Sequence, residues 1–281
     1  MNIIEILKVI VLGIVEGFTE WLPISSTGHM ILVDEIIPLQ VSQDFKNVFM
    51  VVIQLGAILA VVVLYFRKLN PFDPRKKDSQ KRATLRLWFK IIVACLPAAV
   101  FGLLLDDLLE KYLMNGFVVA IALIVYGIFF ILLERENEYK EFPIQKVGQI
   151  TYQTALYIGL FQLLSLIPGT SRSGATILGA MLLGCSRSAS AEFSFFLGIP
   201  VMFGASLLKI VKFVMEFGFA FTGAEVFYLI LGMVIAFVVS LYSIKFLMGY
   251  IRTNSFKLFG YYRIVLGTIV LVYFGVSALI A

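Results

Sequence analysis

The chain has 281 residues, of which 60% are hydrophobic and 15% charged, with a formal charge of +5 and a mean hydropathy of +0.96. Soluble domains are about 45–50% apolar and about 25% charged, so this composition excludes a soluble globular protein and indicates a polytopic membrane protein. The modest positive charge gathers between apolar stretches, as membrane topology requires, and nucleic acid is not expected as a partner.

The first apolar region, residues 3–33, is cut by Pro23 into pieces too short to cross a bilayer alone. At that break the stretch EGFTEWLPISSTGH, residues 16–29, gathers two glutamates, four hydroxyl residues and the only histidine of the chain. Proline removes a backbone donor and clashes with the preceding turn, so the first arm is expected to end near Pro23. The chain can restart at Ser25 or Ser26, both natural N-caps. A broken hairpin is tolerated at membrane depth only where protein or a wet cavity satisfies its freed backbone groups, so the region is predicted to be re-entrant and to line a cavity. With no basic leader and no small-residue cleavage site, the N-terminus is expected to be retained. Glu16 and Glu20 share one helical face, where two carboxylates can hold a hard divalent cation. Gly13 and Gly17 suit close helix packing. His29 falls one turn into the second arm, within reach of Ser25 or Ser26.

Full crossings are predicted at about 47–66, 87–105 and 117–133. The segment from Arg67 to Arg86 is strongly basic and is therefore expected on the cytoplasmic side. Alternation places the loop with Asp106, Asp107 and Glu110 outside, the Glu134 to Lys146 loop inside, Arg252 and Lys257 inside, and both termini outside. A second broken region spans residues 152–185. There Pro168 and Gly169 stop one arm, and Thr170, Ser171 or Ser173 can cap the next. Three more crossings follow at about 190–212, 225–247 and 258–280. Cys95 and Cys185 lie in separate apolar stretches without metal-ligand spacing and are expected to be small buried hydrophobes.

Each half thus contains one broken hairpin followed by three crossings: residues 1–133 with the hairpin at about 3–33, and residues 151–281 with the hairpin at about 152–185. Three is odd, so the halves start on opposite sides, the arrangement of an inverted-topology repeat within a single membrane domain. Aligning GIVEGFTEWLPISSTG with GLFQLLSLIPGTSRSG pairs Gly13 with Gly159 and, after one gap, Pro23 with Pro168 and Ser26 with Ser171. The expected fold is an all-α membrane protein with six transmembrane helices and two re-entrant helix–loop–helix hairpins. Two opposed half-helix N-termini would converge on one cavity and form an anion site. Arg172 adds a guanidinium suited to phosphate. A divalent metal, phosphate donors, a hydroxyl and an imidazole are the parts of a phosphoryl-transfer site.

EGFTEWLPISSTGH and PGTSRSG, together with FMVVIQLGAILAVV (49–62) and AEFSFFLGIP (191–200), resemble the bacterial undecaprenyl-diphosphate phosphatase family of the bacitracin-resistance type. The resemblance runs over essentially the whole chain. It implies hydrolysis of undecaprenyl diphosphate to the monophosphate carrier reused in peptidoglycan synthesis, resistance to bacitracin, and a divalent cation such as Mg2+ or Ca2+. It also implies a bacterial inner-membrane location, with the site opening to the extracytoplasmic side. Carried over residue by residue, it assigns catalytic roles to Glu20, Ser26, His29 and Arg172, metal binding to Glu16 and Glu20, and substrate contacts to Ser25, Thr27, Gln54, Ser171 and Ser173. The partners implied are the polyprenyl diphosphate and membrane lipid; monomer and homodimer are both compatible with the sequence.

A hydrophobic groove should lead the lipid tail to the site. Phe and Met residues of FSFFLGIPVMF (193–203) are candidates to line it, although ordinary packing accounts for most of them. For the chemistry, Ser26 attacking with His29 as its base is favoured, since three residues around a helix start can share a face. Attack by a metal-bound water or by His29 itself also fits. The rival class is a secondary transporter, which shares inverted repeats and broken helices but has no need for carboxylates, hydroxyls, imidazole and arginine at one place. Flipping of the product lipid is a further role that the sequence leaves open.

Overall fold

The computed structural model describes residues 2–113, 115–218 and 221–280, with side chains described except at 106–111 and 277–280. Among the described residues the regular elements are helical, apart from an isolated bridge between Ile144 and Cys185. In chain order they are α1 (Ile3–Thr19), α2 (Ser26–Ile36), α3 (Gln43–Val52), α4 (Gln54–Leu64), α5 (Phe66–Leu69), α6 (Asp78–Leu113) and α7 (Gly116–Glu136). There follow α8 (Tyr152–Gln162), α9 (Arg172–Leu182), α10 (Arg187–Phe217), α11 (Gly223–Tyr250) and α12 (Lys257–Ile280).

Six helical segments among the described residues are long and apolar enough to cross a membrane: Gln43–Leu64, Asp78–Leu105, Gly116–Glu136, Arg187–Phe217, Gly223–Tyr250 and Lys257–Val276. Each overlaps one expected crossing and begins earlier, in four cases because a polar residue caps the helix ahead of its apolar run. Ser42, Asn115, Ser186 and Thr222 each accept a backbone N–H three residues on, satisfying a donor that would otherwise be orphaned. The segment with Asp106, Asp107 and Glu110 differs from expectation: it is helical, since α6 continues through Pro97 to Leu113. Its Leu, Asp, Glu and Lys residues include no helix breaker; the side chains of those three acidic residues lie outside the described ones.

The arms α1, α2, α8 and α9 have 17, 11, 11 and 11 residues, short of the roughly 20 that a crossing needs. On α1, Ile4, Leu7, Val11, Ile14 and Phe18 form an exposed apolar stripe, whereas Val9, Leu12, Glu16 and Gly17 are buried. A helix that turns apolar residues outward and carboxylates inward suits lipid rather than water. Its inner face seats on α11. There Gly13 and Gly17 admit the opposing backbone, and the Ser240 hydroxyl donates to the Gly17 carbonyl at 3.1 Å.

The packing is reciprocal between the halves. While α1 lies on α11, α8 lies on α6; α4 packs on α11 as α10 packs on α6; and α4–α10 and α7–α12 are pairs of corresponding helices. At the α7–α12 crossing a Cβ on Gly127 would come 2.7 Å from the Gly260 carbonyl, and a Cβ on Gly260 would come 2.7 Å from that of Gly127. Such exchange of equivalent contacts is compatible with two interlocked halves of opposite orientation. It also places the α1–α2 and α8–α9 turns side by side.

Candidate active site

The α1 helix stops at Thr19, four residues before Pro23, and the chain turns through residues 20–24 to Ser25. Ser25 has a φ of 74° and caps α2, its Oγ accepting the Gly28 N–H at 3.2 Å. In the second hairpin α8 ends at Gln162, and a short 3-10 turn over Leu163–Leu166 leads to Ser171. Ser171 has a φ of 75° and caps α9, its Oγ accepting the Gly174 N–H at 3.1 Å. Both serines sit in a left-handed backbone region that costs non-glycine residues of order 1 kcal/mol, and they are the non-glycine residues that do so among those described. Equal strain and equal caps fix the register between the hairpins without a gap. Ser25 therefore matches Ser171, Ser26 matches Arg172, Gly28 matches Gly174 and Glu16 matches Gln162. This corrects the gapped pairing of Ser26 with Ser171: the extra residue that the prolines suggest is absorbed in the turns.

The two turns are knitted together by side chains. Arg172 donates from Nη2 to Glu20 Oε1 at 3.0 Å and from Nη1 to the Ser194 carbonyl at 2.7 Å. Its guanidinium also lies 5.8 Å from the ring of the buried Trp21. The second Glu20 oxygen accepts the Ser26 hydroxyl at 2.5 Å. The Ser173 hydroxyl is shared between the Glu20 and Leu22 carbonyls at 3.1 and 3.3 Å. Glu20 is thus held from both hairpins.

His29 takes a different position from the one expected. Its Nδ1 lies 2.7 Å from the Ser25 carbonyl and its Nε2 2.7 Å from the Tyr262 hydroxyl, with the two rings stacked at 5.6 Å. A carbonyl only accepts, so Nδ1 carries the proton, and in the neutral ring Nε2 accepts from Tyr262. The hydroxyl of Ser26 therefore faces a carboxylate, Glu20, rather than the imidazole. The favoured pairing of Ser26 with His29 fails because the helical turn from residue 25 directs the ring onto α12.

A cavity of about 1010 Å3 opens beside the turns, with Glu16, Thr27, Gln54 and Gln162 on its wall. Gln54 reaches it because the span from Gln43 to Leu64 is interrupted at Ile53 and restarts at Gln54. Glu20, Ser26, His29 and Arg172 stand off that wall. Phe193, Phe195, Phe196 and Met202 do not line it either; they are buried in the core. Among the described residues no group of three or more His, Cys, Asp or Glu forms a ready metal cluster. The carboxylates nevertheless fit a hard cation: Glu16 Oε1 is buried without a hydrogen-bond partner, and an ionised carboxylate offers about four lone-pair sites, of which Glu20 uses two.

Three polar groups were not singled out from the sequence. Arg263 of α12, fully buried, donates from Nη1 to the Pro23 carbonyl at 3.0 Å and from Nη2 to the Gly169 and Thr170 carbonyls at 2.8 and 2.9 Å. It therefore ties one hairpin turn to the other. The signal was an arginine several residues inside an apolar crossing, where a charge is costly and usually functional. Tyr262 beside it and Gln162 carried weaker signals, since an aromatic or an amide at those places also suits packing.

The description "Bacitracin resistance protein BacA" belongs to the family model that matches residues 9–269 of the chain. The undecaprenyl-diphosphatase of Desulfitobacterium hafniense (strain DSM 10664 / DCB-2) is 59% identical over 281 residues, all of both chains. That of Lachnoclostridium phytofermentans is 60% identical over 274 residues, 98% of each chain. That of Enterococcus faecalis is 57% identical over 273 residues, 96% of this chain and 98% of its own.

Replacing Arg263 by methionine keeps much of its bulk but leaves the Pro23, Gly169 and Thr170 carbonyls unpaired, each at a cost of about 1–3 kcal/mol. Thermal unfolding of the detergent-purified variant is expected to show a clear fall in Tm, partly restored in Arg263→Lys. An unchanged Tm in the methionine variant would mean that the turns are held by other contacts.

Proposed function

The chain belongs to the bacitracin resistance protein BacA family, and from that membership we infer that it hydrolyses undecaprenyl diphosphate to undecaprenyl phosphate and inorganic phosphate. The observation that carries this reading is the full-length match to undecaprenyl-diphosphatases. The activity recycles the lipid carrier for cell-wall polymers and confers bacitracin resistance, and it displaces the transporter alternative. The protein is a multi-pass membrane enzyme acting on a lipid substrate.

For the chemistry we propose Ser26 as the nucleophile and Glu20 as its base. A serine hydroxyl attacks phosphorus only when its proton has somewhere to go, and the Glu20 carboxylate already accepts it. As the bond from Oγ to the terminal phosphorus forms, the bond from that phosphorus to the bridging oxygen breaks, and the lipid monophosphate leaves with the electron pair. Water then cleaves the phosphoserine, giving phosphate and restoring Ser26. His29, released from Tyr262, has Nε2 available to take the proton of that water. Arg172 positions Glu20 and provides positive charge beside the developing phosphoryl oxygens. The amide ends of α2 and α9 add donors of the same sense, next to Thr27 and Ser173.

Glu16 and Glu20 are the residues proposed to hold a divalent cation, Mg2+ or Ca2+. When bound, it would offset the charge of the diphosphate and its leaving group. Ser25 and Ser171 are assigned to holding the two turns through their caps, and Thr27 and Gln54 to contacting the headgroup from the cavity wall. The site is proposed to open to the extracytoplasmic face of the bacterial inner membrane, with residues 67–86 on the cytoplasmic side.

Ser26→Ala and Glu20→Gln should each lower phosphate release from undecaprenyl diphosphate at least about 100-fold while the protein stays folded. Substantial turnover by Ser26→Ala would instead assign the attack to water or His29.

Chelation with EDTA should abolish release, and Glu16→Gln should shift the Mg2+ titration to higher concentration. Two superimposable titrations would remove Glu16 from cation binding.

Asn115 and Ser79 are both exposed. A cysteine at Asn115 should react with an impermeant thiol reagent in intact cells and one at Ser79 should not; the opposite pattern would invert the topology.

A further inference from the structure

Gln162 is fully buried, and neither its Oε1 nor its Nε2 has a hydrogen-bond partner among the described residues. A buried amide without partners is destabilising, and a leucine or methionine would fill the space without that cost. The side chain contributes to the wall of the cavity that also carries Glu16, whose Oε1 is buried and unpartnered too. Two orphaned groups of opposite capacity therefore meet the same space: an acceptor-only carboxylate and an amide with two N–H donors.

Independently, the register set by Ser25 and Ser171 makes Glu16 and Gln162 the same position in the two hairpins. Each follows, three residues on, a glycine seated on a crossing helix: Gly13 on α11 and Gly159 against Ala94 of α6. The halves present equivalent side chains to one cavity but differ in charge. A carboxylate at both positions would double the negative charge facing an anionic headgroup. An amide at residue 162 instead supplies donors where the opposite half supplies an anion.

We propose that Gln162 is a substrate-binding residue whose Nε2 donates to a non-bridging oxygen of the bound polyprenyl diphosphate. The proposal rests on the phosphatase reading and adds to it a recognition group from the second hairpin. Gln162 takes up no proton and transfers no group; it acts on binding.

The test is steady-state phosphate release from undecaprenyl diphosphate by detergent-purified wild type, Gln162→Met and Gln162→Glu, with Tm measured on each. Methionine keeps the length and removes both donors, so KM should rise about tenfold or more with kcat changed much less, the pattern of lost ground-state binding. Glutamate keeps the shape but puts an anion against the diphosphate, so its KM should rise further. Methylene diphosphonate should inhibit both variants more weakly than wild type. A wild-type KM in Gln162→Met would overturn the assignment. If that variant does not fold, a wild-type KM in Gln162→Glu would overturn it equally. Loss of release in the wild type itself would strike the phosphatase reading and not Gln162.

Discussion

Carbonyl groups at a broken helix inside an apolar environment have no water to turn to, and every other feature of this protein depends on how that need is met. Both hairpins break at nearly the same place, so their unpaired carbonyls face each other, and one guanidinium from α12 serves both. Arginine suits the task because its fork of donors is rigid and reaches several carbonyls at once. The same side chain passes over the ring of Tyr126, 5.6 Å away, so that an aromatic face as well as carbonyl dipoles surrounds the buried charge. Once the turns are held, the amide ends of α2 and α9 are fixed relative to one another, and an anion can be met from two sides without reorganisation.

The two hairpins divide the work unequally. The first carries the carboxylates, the hydroxyl and the imidazole; the second carries Arg172 and Ser173, which reach across to grip Glu20 and its carbonyl. A carboxylate held this way keeps its orientation while losing little freedom on binding, which suits the role of base proposed for it beside Ser26. Two of the buried carboxylates are balanced locally: Glu20 by Arg172, and farther off Glu134 by Arg187 with the Phe256 N–H. This second cluster joins the end of α7 to the starts of α10 and α12 and so anchors that end of the α7–α12 pair.

Much of the architecture was legible in the residues. Apolar run length located all six long helices, because lipid sets their minimum length directly, and the prolines with their hydroxyl neighbours located both breaks. Helix ends were less legible. Caps such as Ser42 and Asn115 lie outside the apolar runs, and α6 extends through a segment whose acidic residues suggested a loop. Glu20, Ser26 and Arg172, which the structure joins in one hydrogen-bond network, were also visible in the two motifs. Their partners were not: residues three apart suggested Ser26 with His29, whereas Ser26 bonds Glu20 across the turn and His29 bonds Tyr262 on the last helix. Contacts between positions 29 and 262 leave no trace in local spacing. Arg263 was missed for the same reason, since its role is defined only once both turns lie beside it.

The size of the cavity has a consequence for molecular selection. A space of about 1010 Å3 is of the class that encloses a drug-sized molecule, enough for a diphosphate and the first isoprenoid units but not for a long polyprenyl chain. Most of the tail must then stay in the bilayer, touching the apolar exterior of the helices in no fixed register. Such a cavity can enclose the head of a polyprenyl diphosphate and leaves its far end in lipid. The membrane concentrates long chains beside the opening in proportion to their apolar surface, so that the bilayer itself acts as the outer part of the binding site.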